Sequence, residues 1–150
     1  MESNERLLIV LVTYKATLEQ SSSYQTLLQH RHVLSVPYKI LVYNNSSELT
    51  MNIDPDSGVT LHTSGKNDKL SGAYNYALKL AQEENCEWMM LLDQDSELTE
   101  EYLKIVDEKI KSHDESITAY VPSLAHNGRF ISASVYNANW GPFWGTRPAT

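Results

Sequence analysis

Three short runs of the chain are apolar at nearly every position, and each breaks off into a polar cluster. Residues 7–12 read Leu-Leu-Ile-Val-Leu-Val and lead into Thr13-Tyr14-Lys15. Residues 38–43 hold Ile40, Leu41, Val42 and Tyr43 and lead into Asn44-Asn-Ser-Ser47. Residues 88–92 read Trp-Met-Met-Leu-Leu and lead into Asp93-Gln94-Asp95-Ser96. Apolar runs without polar alternation fit strands covered on both faces, as in a parallel sheet between helical layers. A weaker alternation over residues 59–63 predicts a short fourth strand.

The intervening segments carry the helical period. Residues 19–34 place Tyr24, Leu27, Leu28 and Leu34 on a helix, although the serine run 21–23 blurs its start, because serine favours caps and turns. A second helix is expected from Ser71, with Leu70, Ala73, Ala77 and Ala81 on one stripe and Ser71 or Asn67 as cap. A third opens with Thr99 as N-cap and Glu100 and Glu101 at the positive end of its dipole; Leu103, Val106 and Ile110 form its apolar stripe. Residues 48–57 read as loop. Residues 117–121, stopped by Pro122, and residues 130–135 are expected as strands. The C-terminal stretch concentrates Trp140, Phe143 and Trp144 among glycines and prolines.

Strands alternating with helices give βαβ units and a mostly parallel sheet, and such sheets take their ligands outside the carboxyl ends of the strands. The three polar clusters would therefore meet on one edge of one sheet. With 150 residues, one domain over 1–150 is expected, long enough to bury a core without disulfides. Twelve Lys and Arg against 19 acids give a net charge of −7, a field that repels nucleic acid but tolerates a single phosphate site beside a divalent cation. Cys86 is the single cysteine, which fits a reducing, cytoplasmic setting, and the longest apolar run is too short to span a bilayer.

Asp93 and Asp95 offer two hard carboxylates at a strand end, suited to Mg²⁺ or Mn²⁺ with positions left open for a diphosphate. Solvated acids or a cap for the next helix would look the same in sequence. Asn67, Lys69 and Asn75 flank the start of the second helix, where backbone N–H groups can face phosphate, or simple capping explains them. Asn44 and Asn45 offer amides to a base edge or merely form a turn; Thr13 and Tyr14 stand where a nucleobase would be touched. The five histidines lack metal-ligand spacing, and no G-x-S-x-G, P-loop or G-x-G-x-x-G occurs. A phosphotransfer receiver or phosphatase-like domain would need acids after the first strand, where Thr13 and Tyr14 stand instead.

Taken in order, the segments 8–14, 40–46, 67–75 and 88–96 resemble the N-terminal part of a family 2 glycosyltransferase. The wording Leu91-Leu-Asp-Gln-Asp-Ser96 is especially similar to rhamnosyltransferase-like members that build surface polysaccharides. The resemblance implies a three-layer α/β/α nucleotide-diphospho-sugar transferase (GT-A) fold with a mostly parallel sheet, expected to be incomplete. It implies an inverting, metal-assisted transfer from a nucleoside-diphosphate sugar to a saccharide or lipid-linked saccharide, in the cytoplasm or at the inner face of the membrane, with peripheral membrane association. It assigns Thr13, Tyr14 and Asn44 to the nucleobase, and Asn67, Lys69 and Asn75 to base, ribose or phosphates. Asp93 and Gln94 fall to ribose and sugar, and Asp95, supported by Asp93, to Mn²⁺ or Mg²⁺. Two positions depart from the family: an aspartate usually stands at Asn44 or its neighbour, and a glycine often near Lys69. Members continue into an acceptor-binding half carrying the general base, so the 150-residue chain is expected to be a piece or a natural short form. Alone it would bind donor and transfer poorly, with Trp140, Phe143 and Trp144 folding back or pairing in a homodimer. No base is assigned; a non-catalytic nucleotide-sugar-binding or partner module of the same fold is the alternative.

Overall fold

The computed structural model describes residues 6–122 and, of residues 123–150, the backbone of four short strands. Contacts divide the chain into two compact units, Met1–His113 and Asp114–Thr150.

In the first unit, strands β1 (Leu7–Thr13), β2 (Tyr38–Asn44), β3 (Val59–Thr63) and β4 (Trp88–Asp93) form one all-parallel sheet in the order β3-β2-β1-β4. The apolar runs are its strands, and each continues one residue further than its hydrophobic stretch, to Thr13, Asn44 and Asp93. The expected adjacency of the three main strands holds, with β1 in register between β2 and β4.

The strand period of two sorts β1 onto two cores. Leu7, Ile9 and Leu11 join a cluster with Tyr24 and Leu27 of helix α1 (Ser22–His30) and Leu103 and Ile110 of helix α3 (Glu100–Lys111). Leu8, Val10 and Val12 join Leu41, Tyr43 and the alanines 73, 77 and 81 of helix α2 (Lys69–Glu83). Helices thus cover both faces, and three alanines four apart let α2 lie close against the sheet.

The predicted helix over residues 19–34 is α1 flanked by two 3₁₀ turns, Leu18–Gln20 and Arg31–Val33. Ser21 caps α1 by accepting the N–H of Tyr24, which resolves the ambiguous start. The second helix begins at Lys69, ahead of Ser71, and Leu70 leaves the alanine stripe to stand 49% exposed. Asp68, rather than Asn67 or Ser71, is the N-cap, and its side chain makes no capping bond; Asn67, one position further out, accepts the N–H of Lys69 with its Oδ1 at 2.9 Å. Lys69 enters the helix with φ of 59°, the left-handed region that favours glycine. The tight turn brings Asp68 so close that a Cβ on Gly72 would lie 2.4 Å from that of Asp68, which is why glycine stands there. Thr99 caps α3 as predicted, accepting the N–H of Tyr102 at 3.1 Å.

α3 is tied to the chain entering β2 by Asp107, a buried carboxylate. Its oxygens accept the N–H groups of Ser35 (2.7 Å) and Val36 (2.8 Å), the Ser35 hydroxyl (2.8 Å) and Lys111 Nζ (3.3 Å). Burial pushes this acid up, but those donors outweigh it and hold it below the ordinary aspartate value.

Residues 117–121 are a correction. They form no strand: Ile117 closes a turn onto the carbonyl of Asp114 at 2.8 Å, and Ile117, Tyr120 and Val121 are exposed. Beta-forming composition there finds neither a partner strand nor a face to bury among the described residues. In the second unit, β5 (Leu124–His126) pairs antiparallel with β6 (Arg129–Ile131), and β7 (Val135–Asn137) with β8 (Gly141–Phe143). The strand expected over 130–135 is met at its two ends, its middle lying outside the described residues with Trp140 and Trp144.

Candidate active site

The order β3-β2-β1-β4 sets the position of the site. The chain moves outward from β1 to β3, then returns across the sheet to lay β4 on the other side of β1. The direction of winding therefore reverses between β1 and β4, and the crevice beyond their carboxyl ends is where such sheets bind ligands. A cleft of about 490 Å³ opens there, lined by Val12 and Tyr14 after β1, Asn45 after β2, Asn67, Lys69 and Leu70 at the start of α2, and Asp93, Gln94 and Asp95 after β4.

The expected residues divide by side-chain parity. Val12 and Asp93 are register partners, on the α2 side of the sheet, where the cleft opens. Thr13 and Asn44 are also register partners, but on the opposite parity, and both are fully buried. Thr13 Oγ1 lies against the carbonyl of Tyr43 (3.5 Å) and Met51 Sδ (3.9 Å). The Asn44 side chain donates to the carbonyl of Leu49 (2.8 Å) and accepts from the N–H of Ser46 (3.0 Å), shaping the turn. Neither lines the cleft; Asn45, next in the chain, does. Asn75 is exposed on α2, outside the cleft lining.

The wall carrying Asn67 and Lys69 is held from below. Asn45 Oδ1 accepts the N–H of Asp68 at 2.7 Å, and the Tyr43 hydroxyl donates to Asp68 Oδ2 at 2.9 Å. Lys66 pairs with Asp68 at 3.1 Å. Lys66 and then the Tyr43 hydroxyl hold the Asp68 carboxyl below its usual range, while burial, and next Asp68, raise the Tyr43 phenol. Across the cleft, Gln94 Oε1 accepts the N–H of Tyr14 at 2.8 Å, so this side chain braces the ends of β1 and β4 against each other.

Asp93 and Asp95 are both exposed, and neither carboxylate has an ion pair or hydrogen bond among the described residues. Asp93 is near enough to Tyr74 to add to the rise that burial causes in that phenol. Two unpaired carboxylates two residues apart, facing a lysine and two amides, make a polar cleft able to hold a cation and an anion together. No third His, Cys, Asp or Glu joins them as a metal cluster among the described residues. Glu97 and Glu100 do not line the cleft, and Glu100 is paired with Lys104 at 2.5 Å.

Sequence reasoning named Asn45 only together with Asn44, as a base contact or a turn residue, and passed over Val12 and Leu70 as cleft residues. Period-two alternation from Leu41 and Tyr43 would have placed Asn45, had the face covered by α2 been known.

Fold and site together define a parallel α/β protein with a polar cleft at the topological switch point of its sheet. Its family follows from a direct match: the model of glycosyl transferase family 2 covers residues 9–147, and the chain belongs to that family. The sheet and its helical layers are accordingly those of a GT-A-like fold, and the chain's kin are enzymes that transfer sugars. No curated protein and no solved structure matches the chain. Among the described residues no helix is long and apolar enough to cross a membrane.

Proposed function

We propose that the cleft binds the nucleoside-diphosphate sugar donor of an inverting glycosyltransferase. The observation that carries this reading is the placement of Asp93 and Asp95, unpaired among the described residues, across a switch-point cleft from Asn67 and Lys69 in a family 2 chain. Tyr14 and Asn45 border the nucleobase. Lys69 and Asn67 face the phosphates, close to the first N–H groups of α2, where the helix dipole favours negative charge. Asp95, with Asp93, would hold Mn²⁺ or Mg²⁺, because hard carboxylate oxygens suit such ions. That ion supplies charge neutralisation for the departing nucleoside diphosphate.

The reaction is displacement at the anomeric carbon by a saccharide hydroxyl, or by one on a lipid-linked saccharide. The new C–O bond forms as the bond to the diphosphate breaks, and the hydroxyl proton passes to a base outside the cleft lining described above. Gln94 contributes by bracing Tyr14, and its position beside Asp93 puts it near the ribose and sugar. The wording of residues 91–96 supports rhamnose as the sugar and surface polysaccharide as the product, made at the inner face of the cytoplasmic membrane. The test is a panel of nucleotide sugars titrated calorimetrically with and without Mn²⁺, beside a transfer assay on saccharide acceptors. Mn²⁺-dependent donor binding is expected, with transfer by the 150-residue chain slow or absent. Donor binding by a full-length parent that transfers to no acceptor would favour a non-catalytic sugar-nucleotide-binding module. Failure of every donor to bind would overturn the proposal.

A further inference from the structure

The serine run before and within α1 has a use beyond capping. Ser21 and Ser23 are fully buried, and their hydroxyls point at the loop that follows β4. Ser21 Oγ donates to the carbonyl of Gln94 at 2.8 Å while accepting the N–H of Tyr24 at 3.2 Å. Ser23 Oγ sits between the carbonyls of Asp93 and Ser96, the latter at 2.9 Å, and accepts the N–H of Ser96 at 3.1 Å. One turn further on, Thr26 Oγ1 accepts the N–H of Leu98 at 3.0 Å and donates to the carbonyl of Ser22 at 2.7 Å. Three hydroxyls of one helical segment thus hold backbone groups of residues 93, 94, 96 and 98. Ser21 by itself satisfies the cap of α1, so the helix requires neither of the other two contacts to the loop.

Asp95 is the residue this arrangement encloses. Its backbone lies between clamped neighbours, and it stands exposed and lines the same cleft as Asp93. Two like charges in one cleft repel, and a free loop would let them move apart whenever no cation lies between them. We infer that Ser23, aided by Ser21 and Thr26, is a positioning residue that fixes the spacing of the Asp93 and Asp95 carboxylates in advance of the cation. It works through the loop backbone, without touching ligand. The inference rests on the proposed role of Asp93 and Asp95 as cation ligands. Partners that orient metal ligands are worth about 10- to 100-fold in metal affinity.

The experiment titrates Mn²⁺ alone into the 150-residue chain and reads free Mn²⁺ by electron paramagnetic resonance, with thermal melts run in parallel. The variants are Ser23→Ala, Thr26→Val, Thr26→Ser and Asp95→Asn. Ser23→Ala is expected to raise the Mn²⁺ Kd about 10-fold or more, and Thr26→Val to raise it less, with Thr26→Ser within about 2-fold of the parent. A purely structural role would lower the melting temperature and leave the Kd where it was. If Ser23→Ala shows no cooperative melt, the Val and Ser pair at position 26 decides: loss in Val with rescue in Ser supports the clamp, and equal Kd values overturn it. Loss of Mn²⁺ binding in Asp95→Asn with an unchanged Kd in Ser23→Ala would overturn the clamp and leave the ligand assignment standing. Parent-like binding by Asp95→Asn would overturn the ligand assignment and the clamp with it.

Discussion

Asp107 is the strongest test of how this fold is held together, because one carboxylate joins α3 to the entry of β2. Replacing it with alanine strands the N–H groups of Ser35 and Val36, which it accepts at 2.7 and 2.8 Å. A buried donor left without a partner costs about 1–3 kcal/mol. Val36 is buried and bears that cost in full, whereas Ser35 is exposed and water can replace part of its bond. Asp107→Ala should therefore destabilise by about 2–4 kcal/mol. Asp107→Asn can still turn its carbonyl to the two N–H groups and loses mainly the charge that faces Lys111, so about 1 kcal/mol is expected. The acid's folded-state pKa lies below the ordinary aspartate value. Its contribution is thus present above that value and is lost as pH falls through the lower folded-state value. Urea unfolding followed by circular dichroism at pH 7 and at acid pH measures both effects. The parent should lose more stability on acidification than either variant. An Asp107→Ala cost below about 1 kcal/mol, or an equal acid response in parent and variants, would refute the reasoning.

Lys69→Gly relieves the left-handed backbone at φ 59°, a strain of about 1 kcal/mol, so the melting temperature should hold or rise while nucleoside diphosphate affinity falls; a drop in both would contradict this. Tyr43→Phe removes the hydroxyl that steadies Asp68, and should weaken nucleoside diphosphate binding by about 3- to 10-fold, the worth of one hydrogen bond. Cys86, its thiol raised by burial, should react with iodoacetamide at pH 7 more slowly than free cysteine does; equal rates would contradict the packing of that residue.

The sheet was legible because β1 and most of β2 are buried on both faces, and continuous apolar runs have few other uses in a chain of this composition. The strand ends were legible because each apolar run gives way to polar residues, and Asp93 marks the end of β4 even though Leu91, on the same face, is already exposed. What sequence could not supply was parity. Thr13 and Tyr14 are adjacent, as are Asn44 and Asn45, and only the register of β1 with β2 and the side taken by α2 decide which of each pair sees the cleft. The start of α2 was displaced because a lysine gives no sign that it will adopt the conformation of a glycine. The departure from the family noted near Lys69 coincides with that backbone. The serines of α1 gave a signal of the wrong kind, since a run of three reads as a vague helix start, and its partners after β4 lie 70 to 73 residues away.

The central claim is that the carboxylates after β4 join nucleotide and cation in one site. It is tested most directly by calorimetric titration of a panel of nucleoside diphosphates into the parent and Asp95→Asn chains, with and without Mn²⁺. Binding by the parent that requires Mn²⁺, and its loss in Asp95→Asn, is the predicted result. Equal binding by the two chains, with Mn²⁺ making no difference, would contradict the account.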